Sequence, residues 1–249
     1  KQKELKEGLQ AAYVPLGVLA VAAGLLLLEP DMGAAIVLLA VGMVILFVAG
    51  MQWRYFLGLG TVLATGAAAL IVFEPYRWKR VTGFLNPFDD PFGTGFQLVQ
   101  SLIAIGRGEL FGVGLGASVQ KLSYLPEAHT DFVFAVLAEE FGFIGVLCVL
   151  ALFGLLVWRV LVIARAAAEA NLPFQAYVAV SFGVWVGLQA FFNIGVNMGI
   201  LPTKGLTLPM LSNGGTSLLV ALFWLGIVLR IGHESNLSGR SALPKKAKT

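Results

Sequence analysis

The chain carries very little charge. Only 12% of its 249 residues are Asp, Glu, Lys or Arg, whereas 58% are hydrophobic. Water-soluble domains carry about 25% charged residues. So few charges do not cover a surface that faces water, but a lipid bilayer tolerates such a composition. The mean hydropathy of +0.85 points the same way. The composition therefore predicts a membrane protein.

Cysteine and the common catalytic signatures are also scarce. Cys148, the single cysteine, lies inside an apolar run, so a disulfide within the chain is excluded and an inert buried thiol is predicted. The sequence has no HExxH, CxxC, P-loop or GxSxG motif, which argues against zinc and serine-nucleophile chemistry. The 17 basic residues are scattered between apolar runs, a pattern that does not indicate nucleic-acid binding. The opening KQKELKEG has no Met and is typical of a cytoplasmic loop, which predicts a piece of a longer protein.

Long apolar runs are abundant. A membrane-spanning helix needs about 20 residues. Six charge-poor runs meet or approach that length, namely 9–28, 32–51, 55–73, 141–158, 172–203 and 205–229. The fourth helix is expected to start nearer Asp131, and the last near Gly214 or Gly215. We therefore predict an all-α membrane protein, a polytopic helical bundle of about six spans that forms a single membrane domain over residues 1–249.

The basic residues predict the orientation of these spans. Alternate segments between the runs (1–8, 52–54, 159–171 and 230–249) hold 11 Lys and Arg. The short segments on the opposite side hold only Lys204. Because cytoplasmic loops are enriched in Lys and Arg, we expect both termini to be cytoplasmic, with 231–249 as a cytoplasmic tail. Residues 74–130 then form a large extracytoplasmic loop.

This loop contains its own helical pattern. Residues 96–110 have apolar side chains at helical spacing but are too short and too polar to span a membrane. They predict an amphipathic interfacial or re-entrant helix. Five glycines between 106 and 116 follow, and they allow tight turns and close backbone packing. The loop is therefore expected to be structured.

The first candidate for chemistry lies at the end of the loop, where Glu127, His129 and Asp131 precede an apolar helix. Asp131 or Thr130 could cap the helix by accepting hydrogen bonds from its free N–H groups. A carboxylate at the membrane face could equally have its pKa tuned for base catalysis. The spacing alone leaves both roles open.

Two further acids and two amides are expected inside the membrane. Glu139 and Glu140 would lie roughly 12–14 Å along the following helix. Acids at that depth are costly, so a polar contact between helices, a cavity lining or an ion site is predicted. Asn193 and Asn197 are one helical turn apart and are expected to form hydrogen bonds between helices.

Cations supply the remaining candidates. Arg77, Lys79 and Arg80 follow the third run and alternate with aromatic residues. They predict either interfacial anchoring or phosphate binding by arginine. Lys204 predicts either snorkelling to the interface or ligand binding. Asp31, in the short EPDMG segment, is expected to form a turn and cap a helix.

These motifs together resemble one family. EPDMGAAIVL, the long stretch from EPYRWKRVTGF to LPEAHTDFVFAVLAEEFG, and ILPTKGLTLPMLSNGGTSLL resemble the SEDS family (shape, elongation, division, sporulation) from the first helix to the last. Family members have ten helices, and the chain resembles the last six. LPEAHTD and LPTKGLTLP resemble the division branch. Asn213 stands where the family has tyrosine, and Glu29 where it has glutamine; both differences are expected to tune packing.

The resemblance implies a function. SEDS proteins are peptidoglycan glycosyltransferases that polymerise lipid II, and their essential aspartate matches Asp131, which would act as general base. The other residues expected to contact substrate are Arg77, Arg80, Arg107, Lys121, Glu127, His129 and Lys204. A divalent cation, Mg²⁺ or Mn²⁺, could assist, but no ligand cluster indicates its site and no other cofactor is expected.

The resemblance also implies partners and a location. A class B penicillin-binding protein (the septal transpeptidase), other divisome membrane proteins, lipid II and the undecaprenyl-pyrophosphate-linked glycan are the expected partners, at the septum in the bacterial inner membrane. Three alternatives stay open: a lipid II transporter, a non-catalytic divisome scaffold and the elongation-type polymerase.

Overall fold

The computed structural model describes residues 12–29, 31–122, 125–202 and 205–241. Within these ranges the chain forms eight α-helices and no strand. The helices are α1 (Tyr13–Leu28), α2 (Met32–Val48), α3 (Trp53–Val72), α4 (Pro75–Leu85), α5 (Phe96–Arg107), α6 (Val133–Glu169), α7 (Pro173–Asn197) and α8 (Gly215–Ser241).

Six of these helices match the six apolar runs. Four are long and apolar enough to cross a membrane: α3, α6, α7 and the part of α8 from Gly215 to Ser235. The other two, α1 and α2, are shorter apolar helices of 16 and 17 residues. The all-α, multi-pass membrane architecture is thereby confirmed. The predicted starts of α6 near Asp131 and of α8 at Gly215 are confirmed as well.

The segment between α3 and α6 contains two short helices. The amphipathic helix predicted over 96–110 is confirmed as α5, which buries Leu98, Val99, Ser101 and Ala104. The sequence analysis did not predict α4. It begins with Pro75 at its first position, where the missing N–H of proline costs nothing. Helix α8 continues through residues 231–241 of the predicted tail, and 242–249 lie outside the described residues.

The core lies where α6, α7 and α8 pack together. Phe182 and Val186 of α7 are fully buried against Val160 of α6 and Val228 of α8. Elsewhere large apolar side chains point outward, and α3 buries no residue at all. Cys148 of α6 is exposed as well, so the predicted burial of its thiol is wrong. Exposed apolar surface of this extent would be unfavourable in water and is expected for helices that face lipid.

Helix α6 is broken in its interior. At Gly142 the backbone has φ 65° and ψ −163°, a conformation that is essentially restricted to glycine. The break leaves carbonyl groups free on one side and N–H groups free on the other. Inside a membrane each such group must find a partner within the protein.

The loop that follows α5 supplies those partners. Val113 and Gly114 donate backbone hydrogen bonds of 2.9 and 3.1 Å to the carbonyls of Glu139 and Glu140. The carbonyl of Glu109 accepts a 2.9 Å bond from the N–H of Phe143, just beyond the break. The loop therefore caps both half-helices at once.

Glycines make this approach possible. A Cβ atom on Gly108, Gly112 or Gly142 would overlap the backbone of the opposite segment. Within the glycine-rich stretch, the predicted close backbone packing is thus confirmed for Gly108 and Gly112. Gly114 and Gly116 have positive φ, as expected for the predicted tight turns.

Candidate active site

Asp131 lies in the turn that leads into α6, with its side chain half-buried. The prediction that Asp131 or Thr130 caps α6 is wrong, because Phe132 occupies the N-cap position and no side chain of the turn caps the helix. Asn197 of α7 does so instead, since its Oδ1 accepts a 3.1 Å hydrogen bond from the N–H of Ala135. The Asp131 carboxylate is consequently not used as a helix cap.

The backbone of the turn is attached to the 205–214 segment. Asn213 donates its N–H to the carbonyl of His129 at 2.8 Å. The hydroxyl of Ser212 donates to the carbonyl of Thr130 at 2.5 Å and accepts from the N–H of Leu208 at 2.7 Å. The segment that follows Lys204 in the sequence therefore holds the backbone of the Asp131 turn in place.

The carbonyl of Asp131 itself is held by α7. Asn193 and Asn197 donate Nδ2–H hydrogen bonds to it at 2.8 and 3.0 Å. Asn193 also donates to the carbonyl of Leu206 at 2.5 Å. The predicted hydrogen bond between helices is confirmed for Asn197, which accepts from Ala135 of α6, whereas Asn193 donates to residues outside the helices.

Glu127 occupies a strained position at the start of the same turn. Its φ is +56°, an uncommon value for a residue other than glycine. The turn is closed by the hydroxyl of Thr130, which donates to the Glu127 carboxylate at 2.6 Å, and by the N–H of Phe132, which donates to its carbonyl at 3.2 Å. The side chains of Glu127 and His129 are exposed. Both residues predicted to contact substrate are therefore accessible on the Asp131 turn.

The surroundings raise the pKa of Asp131 from 3.8 to about 6. Burial of the carboxyl group is the largest cause, and the negative charges of Glu127 and Asp31 act in the same direction. Arg80 opposes them by favouring the ionised form. A carboxylate with a pKa near the working pH is well suited to proton transfer, since it is ionised at neutral pH yet more basic than an ordinary aspartate.

The cations of the sequence analysis fall into two groups. Arg77 and Arg80 belong to α4, and Arg80 is close enough to Asp131 to influence its pKa. Lys204 lies outside the described residues, but the next residue, Gly205, lies directly against Asp131: a Cβ added to Gly205 would be 3.2 Å from Oδ2.

Asp31 caps α2 by accepting a 2.9 Å hydrogen bond from the N–H of Ala34, which confirms its predicted cap.

Arg107 and Lys121 form the second group, at the break in α6. Lys121 pairs with Glu140 at 2.6 Å, and Arg107 approaches Glu139 at 3.4 Å. Each cation therefore has a structural partner, and the substrate-binding role expected of both stays a prediction.

Glu139 is fully buried and anchors the loop. It accepts hydrogen bonds from the hydroxyl of Ser118 at 2.5 Å and from the N–H groups of Val119 and Gln120 at 3.2 and 3.4 Å. The polar contact between helices predicted for Glu139 is confirmed by Arg107, the last residue of α5. Its other partners, and Lys121, the partner of Glu140, lie in the loop that follows α5.

The sequence analysis missed two polar side chains that hold the 205–214 segment. Ser212 was treated only as part of a motif, and Gln189 was not considered. Gln189 lies four residues before Asn193, so an i, i+4, i+8 row of amides on one helix was a usable signal. The contact of Ser212 with Thr130 depends on chain folding over more than 80 residues and left no local signal.

No metal centre is evident in the part of the chain that the structure describes. It contains no group of three or more His, Cys, Asp or Glu residues placed to hold a metal ion. The predicted divalent cation thus has no site built from three such side chains there.

The fold and the site define a multi-pass α-helical membrane protein in which a carboxylate of raised pKa, Asp131, lies just before the start of α6. The chain belongs to the FTSW_RODA_SPOVE family of cell cycle proteins, whose family model matches residues 1–237. The predicted family is thereby confirmed.

Curated relatives agree. A probable peptidoglycan glycosyltransferase FtsW from Halorhodospira halophila is 54% identical over 94% of this chain and 59% of its own length. One from Thioalkalivibrio sulfidiphilus is 57% identical over 90% of this chain and 56% of its own. The chain thus spans about three-fifths of the length of these relatives.

Two solved structures share the fold. One comes from a study of the structural coordination of polymerization and crosslinking by a peptidoglycan synthase complex; it is 36% identical, has a TM-score of 0.71, and the match covers 94% of this chain and 66% of that one. The other is Thermus thermophilus rod shape determining protein RodA, 30% identical with a TM-score of 0.60, over 94% of this chain and 61% of that one.

Proposed function

We propose that the protein is a peptidoglycan glycosyltransferase that polymerises lipid II into glycan strands for septal wall synthesis, with Asp131 as its general base. The observation that carries the proposal is the half-buried Asp131 carboxylate, with a pKa raised to about 6 on a turn held from two sides. The relatives named as FtsW glycosyltransferases, 54% and 57% identical, support the substrate class and the division branch.

The reaction assigned to Asp131 is a single displacement. The donor is the growing glycan on undecaprenyl pyrophosphate, and the acceptor is the sugar 4-hydroxyl of an incoming lipid II. Asp131 takes the hydroxyl proton as the oxygen bonds to the anomeric carbon with inversion, and the bond to pyrophosphate breaks with its electron pair on the leaving oxygen. General base catalysis contributes about 10²–10⁴-fold.

The leaving pyrophosphate needs positive charge beside it. Arg80 is the best-supported cation, because its charge acts on Asp131. Arginine also suits phosphate, since its guanidinium can donate two parallel hydrogen bonds. Arg77 and Lys204 are proposed to assist it because each neighbours this region in the sequence.

The proposed partner is a class B penicillin-binding protein that cross-links the product. The related chain solved in a study of a peptidoglycan synthase complex supports an assembly of polymerase and cross-linking enzyme. The proposed location is the inner membrane at the septum. The excess of basic residues in alternate segments supports placing the Asp131 end on the outer face.

The decisive experiment is Asp131→Asn in the full-length protein with its transpeptidase partner. Glycan chain formation from labelled lipid II is expected to fall by about 10²-fold or more, as for loss of a general base. Asp89→Asn, an exposed carboxylate in the same loop, is the matched control and should leave the rate unchanged. Undiminished polymerisation by Asp131→Asn would refute the assignment.

The same preparation separates the competing functions. A scaffold without catalysis would make no glycan even as wild type, whereas a transporter would move labelled lipid II across proteoliposomes. The polar side chains that a translocation path would use, Glu139, Asn193 and Asn197, are buried and hydrogen-bonded to the protein's own backbone. This arrangement favours the enzyme.

A further inference from the structure

Helix α7 presents three amide side chains in one row. Gln189, Asn193 and Asn197 are spaced by four residues, so they lie on the same face one turn apart. Gln189 donates to the carbonyl of Thr207 at 3.0 Å. Asn193 donates to the carbonyls of Leu206 and Asp131. Asn197 donates to the carbonyl of Asp131 but not to that of Leu206. The row thus attaches two separate segments to one helix.

Resting on the function proposed above, we infer that Asn193 is a positioning residue for the reaction: its carboxamide joins the Asp131 turn to the 205–207 segment and thereby fixes the carboxylate against Gly205. Its two N–H groups go to two carbonyls, at 2.8 Å on Asp131 and at 2.5 Å on Leu206. One side chain therefore sets the separation of the base from the segment that faces it.

The hydrogen-bonding capacity of the Asp131 carbonyl supports this role. A carbonyl oxygen has two lone pairs, and here Asn193 and Asn197 occupy one each. Two donors from one helix restrict rotation of the peptide group more than a single donor would. Because that peptide group follows the Asp131 Cα, its orientation helps to set the direction in which the side chain leaves the backbone.

An amide is also the chemically suitable choice. Asn193 is only 1% exposed, so a charged donor there would carry a large desolvation cost and would shift the pKa of the nearby carboxyl. A carboxamide donates two hydrogen bonds and stays neutral at every pH. It holds the base in place while leaving its pKa to burial and to Glu127, Asp31 and Arg80.

A merely structural role would apply equally to Gln189, which provides a matched control. Both side chains extend from the same face of α7, and both hold the 205–207 segment. Of these two residues, only Asn193 also donates a hydrogen bond to the carbonyl of Asp131. A difference between the two substitutions therefore reports on the contact with Asp131 and not on attachment of the segment.

The test compares Asn193→Leu with Gln189→Leu in the full-length protein with its partner. For Asn193→Leu we expect kcat for glycan formation to fall about 10- to 100-fold, as for misplacement of a catalytic group by about 1 Å. KM for lipid II should change less than about three-fold, because substrate contacts are unaltered. The acidic limb of the pH profile should move to lower pH as the carboxylate becomes more hydrated. Gln189→Leu should stay within about three-fold of wild type in both constants.

A second variant covers a failure to fold. Asn193→Ser stays neutral but is too short to reach both carbonyls and can donate at most one hydrogen bond, so it should show the same loss of kcat. The pH dependence of carbodiimide labelling at Asp131 gives a readout without turnover. Unchanged kcat and labelling in both Asn193 variants, or an equal loss in Gln189→Leu, would overturn the inference.

The outcomes separate this inference from the proposed function. If Asp131→Asn still polymerises lipid II, the general-base assignment fails, whatever Asn193 does. If Asp131→Asn is inactive but the Asn193 variants match Gln189→Leu, only the positioning role fails.

Discussion

The Cα of Gly205 faces the Asp131 carboxylate so closely that a Cβ at Gly205 would lie 3.2 Å from Oδ2. These two residues are 74 positions apart in the sequence. The contact is maintained by Asn193, which donates to Asp131 and to Leu206, the residue after Gly205. A glycine at this point leaves room on one side of a carboxylate that is otherwise half-buried.

Gly205→Ala is therefore expected to crowd the base. The added methyl group would displace solvent from the carboxylate, and loss of hydration favours the protonated form. We expect the acidic limb of the pH–rate profile to move to higher pH and kcat at pH 6 to fall. Gly215→Ala is the control, because a Cβ there has no neighbour within 4 Å. An unaltered pH profile in Gly205→Ala would contradict the contact.

The charges around Asp131 predict opposite shifts for two substitutions. The base works ionised, so activity should fall as pH drops through about 6. Arg80→Leu removes a charge that lowers the pKa of Asp131, so the acidic limb should move to higher pH. Glu127→Gln removes a charge that raises this pKa, so the limb should move to lower pH. Rates of glycan formation from pH 5 to 8 check both, and shifts in the same direction would refute the arrangement.

The sequence predicted the helices and the candidate base because both depend on local pattern. Apolar runs matched the six apolar helices to within a few residues at most ends, and the LPEAHTD motif placed Asp131 correctly before α6. The start of α8 at Gly215 also followed from the position of a glycine pair. These features need only a short stretch of chain.

The supports of the site depend on distant contacts and could not be predicted in the same way. The N–H of Ala135 at the start of α6 is capped by Asn197 of α7, 62 residues away, so the expectation of a local cap by Asp131 failed. The break at Gly142 requires a second backbone from the 108–114 loop. The glycines at 108 and 112 and the acids at 139 and 140 do not reveal from the sequence alone that the loop after α5 packs against the break in α6.

Ser212 and Asn213 should differ sharply on substitution although they are neighbours. Ser212 uses its hydroxyl to join Thr130 and Leu208, whereas Asn213 contributes its backbone N–H to His129. Ser212→Ala leaves buried groups unsatisfied and should cost about 1–3 kcal/mol of stability. Asn213→Ala keeps its backbone bond and should cost less than about 0.5 kcal/mol, as for ordinary exposed positions. Thermal unfolding in detergent distinguishes them, and equal losses would contradict the assignment.

Glu139 is expected to be essential for folding of the loop. Glu139→Ala would leave three donors in the 118–120 stretch without their acceptor, in addition to unpairing Arg107. A buried donor left without its acceptor costs about 1–3 kcal/mol. Arg107 is 47% exposed, so the loss of its partner adds little. Glu139→Gln keeps one acceptor oxygen and should lose less. Glu169→Ala, which breaks an exposed pair with Arg165, is the control and should barely change the unfolding temperature.

The break in α6 gives the most direct test of the fold. Gly142 combines a backbone conformation that other residues rarely adopt with a Cβ position already occupied by the backbone of Gly112. Gly142→Ala should therefore either straighten α6 or expel the loop, and in both cases the hydrogen bonds of Val113 and Phe143 are lost. The strained backbone alone costs about 1–3 kcal/mol.

Gly154, twelve residues further along the same helix, is the matched control for this substitution. A Cβ there meets no atom within 4 Å, so Gly154→Ala should be neutral or stabilise the helix by up to about 1 kcal/mol. Thermal unfolding of both variants, with protease cleavage within the 108–122 loop as a second readout, makes the comparison. Because the loop closes the break, Gly142→Ala should expose it to cleavage at temperatures where Gly154→Ala stays intact. A Gly142→Ala protein as stable and as resistant as Gly154→Ala would show that α6 is continuous.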